Sequence, residues 1–354
     1  MREILELRIP EKNARRFLAP DEGRPLGSAD YIRMFGPSVR QLRVNVSSRR
    51  YEEIRYIASR LKQEKGEYLF HGWMIRRYYA PKELNAAELF KLKIAAVFEP
   101  AGEECGTIYD ESTACPHCGA GRQQVSELIL DLRKVPKNKD IARTIAGEWI
   151  VSQRFAELVI DHQLTGLELR PVRHKAYYQD DPIDLTKLES GLESLRGARE
   201  AGYPHPKGSF WVWLNRAEQT LLRDQIRQEH IASMQRRERK RPPRPLPQYY
   251  QLIVTSKPVR IASPTRFGID PFDEDSKGQF RCPRGHVKGL NVLSELSISG
   301  NTWGGSDVAQ TEEFVGERRG LLVPTRMLMI SPRLYKLLRT ESIKGYEVEV
   351  AHLV

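Results

Sequence analysis

Residues 105–121, CGTIYDESTACPHCGAG, carry three of the four cysteines of this 354-residue chain, and their spacing limits what the chain can fold into. In Cys115-Pro-His-Cys118-Gly119 the two-residue gap lets two thiolates from one tight turn reach one tetrahedral ion. The glycine after the second cysteine tolerates the backbone geometry of such a turn. Cys105 stands ten positions ahead of Cys115. That is a hairpin's length, and three thiolates on the two arms of a hairpin are most of a zinc ribbon. A redox Cys-x-x-Cys would need a thioredoxin-like strand–helix context, which is missing around this pair. Unmetallated packing cysteines are the remaining alternative. The expectation is one structural zinc.

The fourth ligand must come from elsewhere in the chain. Phe280-Arg-Cys282-Pro-Arg-Gly-His286 is a degraded echo of the first knuckle. The expected metal set is therefore Cys105, Cys115, Cys118 and Cys282, with His286 as the alternative fourth ligand. Cys282 in that role would stitch two distant parts of the chain together. His117 lies inside the knuckle and is expected to point away. His71 and His205 are weaker candidates, because a histidine chosen blindly is usually not a ligand.

After each knuckle the same landmarks recur in one order over about sixty residues. A strand comes first (126–132 and 290–298), then Asp140-Ile-Ala or Asp307-Val-Ala. Ser152 and Ser331 follow as N-caps of short helices. Gly166 ends the turn after the first helix, Ile343-Lys-Gly345 matches Leu164-Thr-Gly166, and a strand closes each stretch (167–172 and 346–354). Recurrence of this kind implies two copies of one supersecondary unit.

The expected fold class is α+β: two related α/β-type repeats, each opening with a zinc-ribbon-like knuckle, the second degenerate, plus an N-terminal α+β region. The expected boundaries are 1–100, 101–175, 176–279 and 280–354. Residues 1–36 are punctuated by Pro and Gly and read as an arm. A strand at 42–46 follows, then a helix capped by Ser47 or Ser48 and ending at Gly66, then strands over 68–79 and 87–100. The insert 176–279 holds an aromatic strand (208–215), an increasingly basic helix (216–241), a Pro-rich hinge (242–247) and a strand (249–256). Its basic run, Arg236, Arg237, Arg239, Lys240, Arg241 and Arg244, suits either a phosphate backbone or a solvated helix end.

The formal net charge of +11 favours acidic partners, nucleic acid among them. No apolar run approaches 18 residues, so no membrane span is expected. The N-terminus has no apolar signal region, and the cysteine usage points to a reducing, cytoplasmic setting. No Gly-rich phosphate loop, zinc-protease motif or nucleophile elbow is present.

The knuckle and its second copy resemble the double-CXXCG proteins, grouped with the Imm11-type immunity proteins of bacterial polymorphic toxin systems. The resemblance covers roughly residues 105–172 and 280–354. It implies a cytoplasmic, non-enzymatic protein that binds and neutralises a cognate protein toxin. The second knuckle departs from the pattern, since Cys-Pro-Arg-Gly-His lacks one thiolate. Either that site is metal-free or His286 replaces the missing ligand. Two other functions stay open: a zinc-ribbon nucleic-acid-binding protein of defence or mobile-element biology, carried by the basic run, and a metal-dependent enzyme, which would need an open fourth metal position.

Overall fold

Leu5, Leu7 and Ile9 alternate with Glu6 and Arg8, the period of a strand buried on one face. Residues Arg2–Pro10 form that strand (β1), and Glu11–Phe17 form a helix directly after it. The start of the arm expected over 1–36 is a sheet strand and a helix, with Pro10 at the junction between them. In this computed structural model the described residues are 1–27, 38–177, 245–318 and 323–354. The expected aromatic strand 208–215, the basic helix, His205 and all six residues of the basic run lie outside them.

Three more strands complete the first sheet: β2 (Arg24–Leu26), β3 (Val39–Asn45) and β4 (Gly72–Tyr78). Their order is β2-β3-β1-β4, antiparallel throughout. The helix Arg49–Lys65 lies between β3 and β4. Ser48 starts it by accepting the N–H of Tyr51, and Gly66 ends it with φ +64°. Ile54 and Leu61 of this helix bury against Leu5, Leu7, Ile9, Leu42 and Val44. Among the described residues the result is a βαββαβ arrangement whose two helices pack on one face.

The rest of the molecule is built on two larger sheets. One has the order Leu167–Pro171, Tyr249–Val254, Trp149–Ser152, Ile141–Thr144, Val97–Phe98. The other has the order Val287–Gly289, Val308–Val315, Thr325–Ile330, Leu89–Ile94, Tyr346–Leu353, Leu296–Ile298. The strand Leu89–Ile94, counted in the sequence with the N-terminal region, pairs on both sides with strands from the chain's last thirty residues. Conversely, Tyr249–Val254 enters the sheet formed by residues around Ile150. Phe90, Ile141, Phe155, Leu158, Leu328, Ile330, Leu334 and Leu338 meet in one core drawn from both sheets and both short helices.

The local devices around these helices match. Ser152 accepts the N–H of Phe155, and Ser331 that of Leu334. Asp140 accepts from the Ser152 hydroxyl at 2.9 Å and from the Lys344 N–H at 2.8 Å. Asp307 accepts from the Ser331 hydroxyl at 2.9 Å and from the Thr165 N–H at 3.0 Å. Each aspartate therefore caps its own serine and holds the loop before the other segment's glycine. Those glycines sit at close approaches with positive φ: a Cβ on Gly166 would lie 2.1 Å from the Val308 carbonyl oxygen, and one on Gly345 2.0 Å from that of Ile141.

A charged cluster ties the first sheet to the six-stranded one. Arg77 of β4 pairs with Glu3 at 2.7 Å and with Glu349 at 3.3 Å, while Lys91 and Lys93 each reach Glu349 at 3.1 Å. Burial pushes the Glu349 carboxyl up, but Lys91, Lys93 and Arg77 outweigh it and bring the group down to about 2. No helix among the described residues is long and apolar enough to cross a membrane.

Candidate metal centre

Each knuckle sits at the closed end of a short hairpin. The first hairpin pairs Tyr109–Asp110 with Gln123–Gln124, and the second pairs Phe267–Gly268 with Asn291–Val292. The backbones turn alike: the N–H of Cys115 donates to the Ala120 carbonyl at 2.7 Å, and that of Cys282 to the Val287 carbonyl at 3.1 Å. Both turns need one residue at positive φ, supplied by Gly119 (70°) and Gly285 (79°). The two sequences differ in the order of ligand and glycine. The first reads Cys118-Gly119, the second Gly285-His286, so the histidine occupies the place of the first knuckle's glycine. A longer imidazole projects from one position further along and still reaches the same point.

The two tips face one another. Cys115, Cys118, Cys282 and His286 bring one ligand atom each to within 4.8 Å of all the others. Cys115 Sγ and Cys282 Sγ are 3.8 Å apart, and His286 Nδ1 is 3.8 Å from both Cys118 Sγ and Cys282 Sγ. Tetrahedral bonds of about 2.3 Å place two sulfurs about 3.8 Å apart, whereas a disulfide would hold them near 2.05 Å. The three cysteines are buried, and Ala120, Val287 and Phe314 pack around them. The donor set and its spacing fit a tetrahedral metal ion.

The thiols are poised unequally. Burial raises the Cys115 thiol, but N–H groups of Cys118 and His117, with His286 and Cys118 beside it, bring it down to about 6. Burial pushes Cys118 up to about 11; the Ala120 N–H works against this, and the neighbouring Cys282 and Cys115 sulfurs add to it. Three thiolates crowded together stay ionised only with a cation among them, which is what a metal supplies.

Of the expected ligands, Cys115, Cys118 and Cys282 come together, and His286 takes the fourth place. Cys105 does not join them. It ends the short helix Gly102–Cys105, buried, ahead of the first hairpin arm, while the knuckle lies at the hairpin's far tip. Thr107 holds this segment in place by accepting the Ile129 N–H at 2.9 Å and donating to its carbonyl at 3.3 Å. The segment is thereby committed to the strand Ile129–Leu130. His117 is exposed, as expected, and His71 is not part of the group.

One buried acid near the first knuckle carried no sequence signal. Glu148 is 8% exposed. Its Oε1 accepts from the Tyr109 hydroxyl at 2.6 Å and from the Gly102 N–H at 3.2 Å. Its Oε2 has no partner among the described residues, and burial raises its pKa.

The chain matches no protein-family model, no curated protein and no solved structure. What the centre does is therefore read from its own geometry.

Proposed function

We propose that this chain is a non-enzymatic, zinc-stapled binding protein built from two copies of one unit. The copies span about residues 89–174 and 249–354, and each lends its first strand to the other's sheet. Their knuckles share one zinc, held by Cys115, Cys118, Cys282 and His286. The observation that carries this reading is the closed Cys₃His set. Four protein ligands fill a tetrahedral zinc and leave no position for water or substrate, as structural sites do and catalytic sites do not. Thiolate and imidazole donors in tetrahedral array favour zinc over oxygen-seeking ions.

The work of such a platform is to present a surface. The resemblance of its knuckles to the double-CXXCG immunity proteins makes a cognate bacterial toxin the proposed partner, met in the cytoplasm. The test is co-expression with whatever toxin-domain protein is encoded in the neighbouring genes. Rescue of growth and a stable complex on gel filtration are the expected results. Absence of both, with the chain folded and holding one zinc, would remove the toxin while leaving the staple.

A further inference from the structure

Among the described residues, the first sheet shows one face to its helices and leaves the other open. Side chains alternate across a strand, so the partners of buried Leu5, Leu7, Ile9, Leu42 and Val44 point outward. The outward positions hold Arg2 and Arg8 on β1, Arg24 on β2, Arg43 on β3 and Arg76 on β4. The pairing register spreads them across all four strands: Arg2 lies opposite Tyr78, Arg8 opposite Gly72 and Gln41, and Arg24 opposite Gln41 on its other side. Among the acids of these four strands, Glu6 alone points the same way. It is buried and bridges Arg43 at 2.9 Å and Arg76 at 3.0 Å. Arg76 also reaches Glu347 at the margin. Arg2, Arg8 and Arg24 have no carboxylate partner among the described residues. Tyr78 stands 40% exposed on this face, with the Arg2 guanidinium 5.1 Å from its ring centre and the Arg43 guanidinium donating to its hydroxyl at 2.7 Å.

We propose that this open face binds single-stranded nucleic acid, its arginines taking phosphates and Tyr78 stacking on a base. All five cations are arginine, whose planar fork suits phosphate oxygens. An open sheet face with an exposed ring suits unstacked bases better than a duplex groove. A protein partner fits less well: the centre of the face is the Glu6 ion-pair group, and charged residues are depleted at the core of protein interfaces. The site uses neither the metal centre nor the basic run at 236–244, so it stands or falls separately from toxin binding.

The zinc-loaded full chain is titrated against fluorescein-labelled twelve-nucleotide oligo-U and oligo-dT, followed by anisotropy over a salt series. Binding should weaken steeply with salt, each phosphate contact contributing about 0.7 to the log–log slope. Arg8→Ala with Arg24→Ala should weaken binding about tenfold and lower that slope by about 1.4. Arg8→Lys with Arg24→Lys should keep most of the slope. Tyr78→Ala should weaken binding about tenfold while leaving the slope unchanged. These side chains are on the open face, so zinc content and melting temperature should hold in every variant. No binding, or binding indifferent to these changes and lost only when Arg236, Arg237, Arg239, Lys240 and Arg241 become Ala, overturns the proposal. So does polyglutamate competing as well as the oligonucleotide, which would make an acidic protein the occupant.

Discussion

Tyr109 with Glu148, and Phe267 with Met327, occupy the same places in the two proposed copies. The match is set by backbone bonds. Thr107 accepts the N–H of Ile129, and Thr265 that of Ser297, each at 2.9 Å; Tyr109 and Phe267 come two residues later. Thr144 accepts the N–H of Glu148 at 3.2 Å, and Thr311 that of Met327 at 2.9 Å. Ser126 and Ser294 likewise each take an N–H, from Ile108 and Arg266, at 2.9 Å. So the main-chain wiring is kept while the side chains it positions have gone separate ways. One copy carries the apolar Phe267 and Met327 at these positions, the other a half-satisfied carboxyl. The fold does not require Glu148, because the same backbone does without an acid there. The knuckles show the converse: ligand and glycine stand in opposite order in the two, yet their four ligand atoms still meet within 4.8 Å of one another.

If one metal serves both copies, damage to either knuckle should be felt by both. Cys115→Ser and Cys282→Ser should each abolish zinc binding and cost up to roughly 10 kcal/mol, the scale of structural zinc sites. Elemental analysis and thermal melting check this. Equal losses from the two variants support sharing, and a loss confined to Cys115→Ser would return the site to the first knuckle alone. Cys105→Ser should keep one zinc per chain.

Next in size come the reciprocal glycines. Gly166→Ala and Gly345→Ala each force a Cβ to about 2 Å from a backbone carbonyl oxygen, at positive φ. Strain and overpacking together should cost more than about 3 kcal/mol at either position. Urea melts giving comparable losses would show that the exchange is symmetrical. A harmless Gly345→Ala would break the equivalence.

Much of this could be read in the sequence because it is local. Ser152 and Ser331 announce their helices, Gly166 and Gly345 the turns that follow them, and the knuckle motifs a cluster of metal-ligand type. Cys282 and His286 were identifiable because an echo of a knuckle has little use apart from a ligand. What stayed hidden depends on contacts far apart in sequence. Leu89–Ile94 and Tyr249–Val254 read as strands, but period-2 patterning does not name the neighbour a strand will choose. Cys105 misled because spacing alone does not say which end of a hairpin a residue occupies. The alternation of β1 was present and was masked by the prolines around it.

The charged cluster distinguishes the second copy's sheet, which faces β4, from the first's. Glu349→Gln leaves Arg77, Lys91 and Lys93 without their shared anion, and removing one partner of a buried pair costs about 3–5 kcal/mol. The pH dependence has a definite sign. The folded-state pKa of Glu349 is about 2, below the ordinary carboxylate value, so its stabilisation is complete above about pH 5. It fades as pH falls toward 2. The variant should therefore show a flatter acid limb in melting temperature against pH, and an unchanged limb would remove Glu349 from the account.

The smallest effect goes back to Glu148, and its sign is opposite. Burial raises its pKa, so the folded state holds the proton more tightly than the unfolded chain. Its charge then costs stability as pH rises above the ordinary carboxylate range, and that cost is absent in acid. Glu148→Gln keeps an acceptor for the Tyr109 hydroxyl and the Gly102 N–H while removing the charge. At pH 8 the variant should gain on the order of 1 kcal/mol over the wild type, and the gain should vanish near pH 4. Phe267 and Met327 supply the control, because a second copy with no acid at this position has no such titration to lose. A variant less stable than wild type at pH 8 would mean that the ionised carboxylate is held by something in the folded protein. The two copies would then differ in binding a partner at Glu148, and not merely in tolerating an acid there.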